Sequence, residues 1–200
     1  MNDPVLPKRA EHGDRSGFIA FLTKLGESKD RGALAGLRRS LQDPTGVAAS
    51  ACPYVVPFLP KEADRFQERI FFLVGALYAL HPEHADGVSL GHAFRRINDE
   101  TSEGRQGKDN QSTRARFVAL LDAHADDVGQ HVRHAVSLAR AKNVALDWER
   151  LLRDLRYWRN PDRDVQRRLA GDFWRPSEAA PAPPPSCPPS DTVSESEASR

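Results

Sequence analysis

The chain has 200 residues, of which 39% are hydrophobic and 28% charged, and its 29 lysines and arginines nearly balance its 28 aspartates and glutamates. That is the composition of a soluble globular protein long enough to bury a sizeable core. It excludes a wholly basic tail protein and an acidic disordered one, but not a local basic face. Two cysteines, Cys52 and Cys187, make neither a disulfide framework nor a cysteine zinc site. The stretch MNDPVLPKRAEHGDRSG lacks the apolar centre of a signal peptide. The longest apolar run, Ile70 to Leu80, is eleven residues, against about 20 for a membrane span. A cytoplasmic protein with no membrane partner is the expectation.

In chain order, residues 1–13 read as a flexible N-terminus and 14–97 as a first helical domain. Phe18, Phe21, Leu22 and Leu25 recur at helical spacing, and so do Leu34, Leu37 and Leu41 within 29–41. Residues 62–80 carry Phe66, Ile70, Leu73, Val74 and Leu77 on one face and Phe71, Phe72, Ala76 and Tyr78 on others. A helix apolar on several faces is a buried one, and His81-Pro82 ends it. A short helix is predicted over 89–97. The segment 98–111, NDETSEGRQGKDNQ, has two glycines and no apolar residue, and reads as a linker.

Residues 112–174 read as a four-helix bundle. The first helix carries Phe117, Leu120 and Leu121, with Ser112 or Thr113 as its cap. The second carries Val128, Val132, Val136 and Ala139. The third carries Trp148, Leu151, Leu152, Leu155 and Trp158 behind the cap Asp147. The fourth opens at Asn160-Pro161-Asp162 and buries Val165, Leu169 and Phe173. Residues 175–200 hold seven of the fifteen prolines and read as a disordered Pro-rich tail, a solvated segment or a polyproline ligand. No alternating strand pattern appears, so the fold class is all-α: two small helical domains, the C-terminal one a four-helix bundle.

No phosphate-binding glycine loop, dinucleotide fingerprint or serine elbow is present. The histidines His81, His84, His124, His131 and His134 are the metal candidates, but their spacing brings too few together for a site. Asp126-Asp127 suits a helix start better than paired acid–base chemistry. No catalytic residue, metal or cofactor is expected. The arginines say more. Arg114 and Arg116 fall in the first turn of the helix predicted from Thr113, where the dipole disfavours cations and free amides favour an anion. Arg133, Ser137 and Arg140, followed by Lys142, form a cationic face in a stretch free of acids from Gly129 to Leu146. A solvated face mixes signs; this one points to a polyanion. Arg38-Arg39 sit at a helix C-terminus, where the dipole already favours them, and Arg95-Arg96 are similar. Arg150, Arg153, Arg156 and Arg159 interleave with acids as a solvated face. Trp148, Trp158 and Trp174 are read as core packing rather than as base-stacking platforms.

The segments LDWERLLRDLRYW and PDRDVQRRLAGDFW, with GALAGLRR and Arg114-Ala-Arg116-Phe upstream, resemble the CasB family, the small subunit of the type I-E CRISPR Cascade complex. The resemblance spans roughly residues 18 to 174. Leu169-Ala170 stands where the family often has Trp-Ala, a packing difference. The resemblance implies an all-α, two-domain, non-enzymatic subunit, two copies of which lie in the complex beside the Cascade backbone and large subunits. It implies sequence-independent contact with guide RNA and with the target and non-target DNA strands. Nucleic-acid contacts are expected at Arg38, Arg39, Arg114, Arg116, Arg133 and Lys142. The alternative is a helical protein-interaction adaptor whose arginines only make salt bridges.

Overall fold

The protein is described by a computed structural model covering residues 15–104 and 108–175. Nine α-helices occur among the described residues: α1 (Arg15–Glu27), α2 (Arg31–Arg38), α3 (Cys52–Val55), α4 (Arg65–Leu80), α5 (Leu90–Gly104), α6 (Lys108–Asp122), α7 (Val128–Ala141), α8 (Trp148–Arg156) and α9 (Asp164–Trp174). The 3₁₀ turns Arg39–Leu41, Ala49–Ala51 and Val56–Phe58 bracket α3. The only β pairing among the described residues is an isolated bridge between His84 and Leu146. The all-α class therefore holds. The expected flexible N-terminus and the Pro-rich tail beyond Arg175 fall outside the described residues.

Helix starts follow the local chemistry. Asp30 accepts from the Ala33 amide at 3.0 Å, Asp64 from Gln67 at 2.7 Å and Asp147 from Arg150 at 2.8 Å. Each satisfies one of the amides that a first turn leaves unbonded. Helix α4 is buried nearly all round, from Phe66 to Ala79, as its many-sided apolar pattern requires. The core is one cluster running from Phe18 to Phe173.

Three boundaries differ from the sequence reading. The 98–111 segment is helical up to Gly104 and again from Lys108. Polar residues carry a helix without difficulty once its stripe is anchored, as Ile97 and Asn98 (2% and 6% exposed) anchor α5. Thr113 is consequently not a cap but a buried residue inside α6. Helix α9 starts at Asp164 rather than at Pro161. The Asn160 side chain accepts from the Asp162 amide at 3.1 Å, forming a turn that runs through Arg163 at φ 53° before the helix begins.

The C-terminal four-helix grouping consists of α5, α6, α7 and α9, while α8 packs on α4 and α1. Trp148, fully buried, explains why α8 sits there. Its indole N–H donates to the Glu83 carbonyl at 3.0 Å and its ring meets Tyr78 of α4 edge-on at 5.4 Å. Gly91 makes room for α9. A Cβ at that position would lie 2.4 Å from the Leu169 carbonyl oxygen, so only glycine lets the two backbones approach this closely. Partly buried ion pairs close the joint between α8 and α9. Asp172 accepts from Arg150 and from Ser89, each at 2.6 Å. Asp154, 3% exposed, takes Arg168, with Arg150 and Arg153 beside it. Burial pushes the Asp154 carboxyl above the ordinary carboxylate range, and the three guanidiniums oppose that rise without cancelling it.

Candidate nucleic-acid interface

The predicted cations separate into two regions. Arg38 ends α2, and its Nε donates to the Ala79 carbonyl in the last turn of α4 at 2.7 Å. Arg39 opens the following 3₁₀ turn, and both side chains are exposed. Arg133 reaches across from α7, donating from Nη1 to the Leu41 carbonyl of that same turn at 2.6 Å. This tether sets Arg133 beside the turn that Arg39 opens. Lys142 caps the far end of α7, and Arg140 is exposed one residue inside the helix's last. Beneath Arg133 lies a hollow of about 330 Å³ bounded by the Leu41 turn, α4 and α7, with Arg69, Asp43 and Asp126 also on its wall.

Arg114 and Arg116 lie elsewhere, and the helix-end argument for them fails. Because α6 starts at Lys108, they occupy its interior, away from any free first-turn amides. At about 100° per residue they point roughly 200° apart around the helix. Arg114 donates through Nε to the Asn98 side chain at 3.3 Å, beside Arg95 and Trp174. Arg116 is exposed. Arg95 and Arg96 likewise sit inside α5 rather than at its end, so the dipole does not account for them.

Electrostatic pairing separates the predicted set from several arginines of the α8–α9 region. None of Arg38, Arg39, Arg114, Arg116, Arg133 and Lys142 lies within ion-pair distance of a described carboxylate. By contrast Arg150, Arg153, Arg159, Arg163 and Arg168 all do. Arg156 and Arg159 also lie over the rings of Phe71 and Phe66, at 5.7 and 4.0 Å. The α8 arginines are thus structural, whereas the α2 and α7 cations leave their charge toward solvent.

Among the described residues no group of three or more His, Cys, Asp or Glu converges as a metal site. His81 is spent on the Val144 carbonyl at 2.9 Å, in the core, and His84 on Asp86. No helix among the described residues is long and apolar enough to cross a membrane.

The profile of the CRISPR-associated protein Cse2 family matches residues 33–174. The chain belongs to the Cse2 family. A Cse2 protein of Thermus thermophilus is 39% identical over 160 residues, covering 78% of this chain and 88% of that one. The crystal structure of a Cse2-family protein from Thermus thermophilus superposes with a TM-score of 0.69 at 34% identity, covering 81% and 98% of the two chains. A chain of a CRISPR RNA-guided surveillance complex matches with a TM-score of 0.62 at 25% identity, over 80% of this chain and 90% of its own. The CasB resemblance carried by the α8 and α9 sequences agrees with these matches, since solved CasB structures are among the neighbours.

Sequence reasoning assigned Arg95 to a helix end and passed over Arg167 and Arg175; this Cse2 fold gathers all three at the α5–α9 edge. It also placed Trp174 in the core, where Trp148 and Trp158 indeed lie at 0% and 3% exposure, while Trp174 is 53% exposed. Its position as the last residue of α9 was the available signal.

Proposed function

We propose that this Cse2 protein is a non-catalytic small subunit of a type I-E CRISPR surveillance complex. There it holds sugar–phosphate backbone and so stabilises the R-loop made by the guide RNA and target strand, together with the displaced non-target strand. Its partners are the backbone and large subunits, the guide RNA, both DNA strands and a second copy of itself. The contact set is the α2–α7 face of Arg38, Arg39, Arg133 and Lys142, with Arg114 and Arg116 on α6. Family membership supports the place in the complex. The observation that carries the nucleic-acid contact is that these six cations have no described acidic partner, while Arg150, Arg159, Arg163 and Arg168 are paired off. An adaptor built only on internal salt bridges would pair them.

The role needs little affinity. Forming a guide–target heteroduplex nearly balances the DNA duplex it replaces, so a few phosphate contacts tip the exchange. Phosphate contacts carry no sequence information, as suits a subunit that must accept any target.

The test is to express the chain with guide RNA and the other subunits, purify the ribonucleoprotein, and measure R-loop lifetime against salt. Arg133→Glu with Lys142→Glu is expected to leave assembly intact and shorten that lifetime. Removing one phosphate neutralisation on a single strand flattens the log–log salt dependence by about 0.7. Wild-type R-loop lifetime in the double variant would remove the α7 face from the proposal, and failure of the chain to join the particle would end it.

A further inference from the structure

Two adjoining hollows share Arg95. One, of about 450 Å³ between α5 and α9, is lined by His92, Arg95, Arg167, Arg168, Asp172 and Arg175. The other, of about 290 Å³, has Arg95, Asp99, Arg114 and Trp174 on its walls. The acid in the first hollow is already committed, since Asp172 accepts from both Arg150 and Ser89. Arg168 is spent on Asp154, and Arg95 lies 3.7 Å from Asp99 while donating to the Arg175 carbonyl. Arg167 and Arg175 are exposed and pair with no described carboxylate. The fold therefore concentrates guanidinium charge here and leaves that of Arg167 and Arg175 without a described carboxylate, at a cost in mutual repulsion.

An aromatic ring stands at the rim. Trp174 is held against Phe173 at 4.8 Å and Phe117 at 5.4 Å, yet keeps 53% of its surface exposed. Leaving a large indole half in water beside arginines does nothing for the core. A ring fixed on one side and open on the other, flanked by cations, matches a nucleotide: the base has a π-face to stack and the phosphate takes guanidinium donors. A carboxylate-rich peptide would use the arginines but leave the indole idle.

We propose that the α5–α9 edge binds single-stranded nucleic acid, with one base stacked on Trp174 and the flanking phosphates on Arg95, Arg167 and Arg175. This rests on the nucleic-acid reading above and adds a contact outside the α2–α7 face.

The test uses the full chain and a fluorescein-labelled oligothymidylate, with anisotropy reporting binding and tryptophan emission reporting the site. Trp148 and Trp158 are buried, so quenching reports Trp174. Oligothymidylate is expected to quench the emission, and Trp174→Phe to abolish the quenching. Because phenylalanine still stacks, Trp174→Phe should keep affinity within about threefold, whereas Trp174→Ala should weaken it about tenfold. Should Trp174→Ala not fold, Arg167→Gln, at an exposed position without a described partner, serves instead and should flatten the salt slope by about 0.7. Binding with unchanged emission and unaffected variants would overturn the inference and leave the backbone reading standing. Equal quenching by polyglutamate would overturn it in favour of an acidic peptide. No binding by the free chain, together with an R-loop lifetime insensitive to Arg133→Glu and Lys142→Glu in the assembled complex, would overturn both.

Discussion

Gly91→Ala should destabilise the protein even though alanine is the better helix former. The new Cβ would sit 2.4 Å from the Leu169 carbonyl oxygen and 2.8 Å from the Asp172 Cβ. The closest neighbour is backbone, so α5 and α9 must separate by most of an ångström to restore ordinary contact. Such overpacking costs about 1–3 kcal/mol, against a helix-propensity gain of at most about 1 kcal/mol. The separation also pulls Asp172 away from Ser89, which it meets at 2.6 Å. A net loss of about 2 kcal/mol lowers Tm by roughly 4–8 °C for a chain of this size. Gly129→Ala is the matched control. There the nearest atom is the tip of Leu73 at 3.5 Å, an ordinary contact, so the propensity gain stands alone and the variant should be stabilised by up to about 1 kcal/mol. Urea and thermal unfolding of both variants decide the matter. A Gly91→Ala protein as stable as wild type would refute the claim that close backbone approach joins α5 to α9.

Trp148→Phe should cost about 2 kcal/mol in urea unfolding, because it shrinks a fully buried ring and removes the indole's 3.0 Å hydrogen bond to the Glu83 carbonyl, which keeps the Leu146 amide at 3.3 Å; a change under about 0.5 kcal/mol would contradict that placement. Asp154→Ala removes the buried acceptor of Arg168, which is 41% exposed, while Arg150 keeps its pair with Asp172, and should cost about 1–2 kcal/mol. Because burial holds the Asp154 carboxyl above its unfolded value, its own contribution is most favourable below the unfolded pKa and declines as pH rises through the raised one. Asp154→Asn should therefore remove a fall in stability across that window, seen as a difference between the two proteins' pH–stability curves. Asp64→Ala, which removes the cap of α4, should cost about 1 kcal/mol, read as a small drop in Tm.

Much of the fold was legible because it depends on local periodicity. The apolar spacing from Phe66 to Leu80 dictates a many-sided buried helix, and α4 is one. Asp147 before Trp148 marks a capped start, and the cap is made. The acid-free stretch from Gly129 to Leu146 marked α7 as cationic, and its arginines and Lys142 are unpaired with described acids. Where spacing misled, the reason was physical: polar residues at 98–104 and 108–112 do not end a helix, because a helix needs apolar residues only where it meets a core. That error displaced the start of α6 and with it the argument for Arg114 and Arg116.

Which helices touch was decided only in three dimensions. The order of α6, α7, α8 and α9 along the chain implied a bundle of consecutive neighbours, but α8 is drawn to α4 by the burial of Trp148, and α5 takes its place against α9 through Gly91. The pairing of charges is equally long-range. Arg150 meets Asp172 and Arg168 meets Asp154 across gaps of 22 and 14 residues, and Arg133 finds the Leu41 carbonyl 92 residues away. Periodicity records which face of a helix is apolar, since each residue's burial is repeated every turn. It holds no record of which arginine will meet a carboxylate, since that depends on the approach of two faces far apart in the chain.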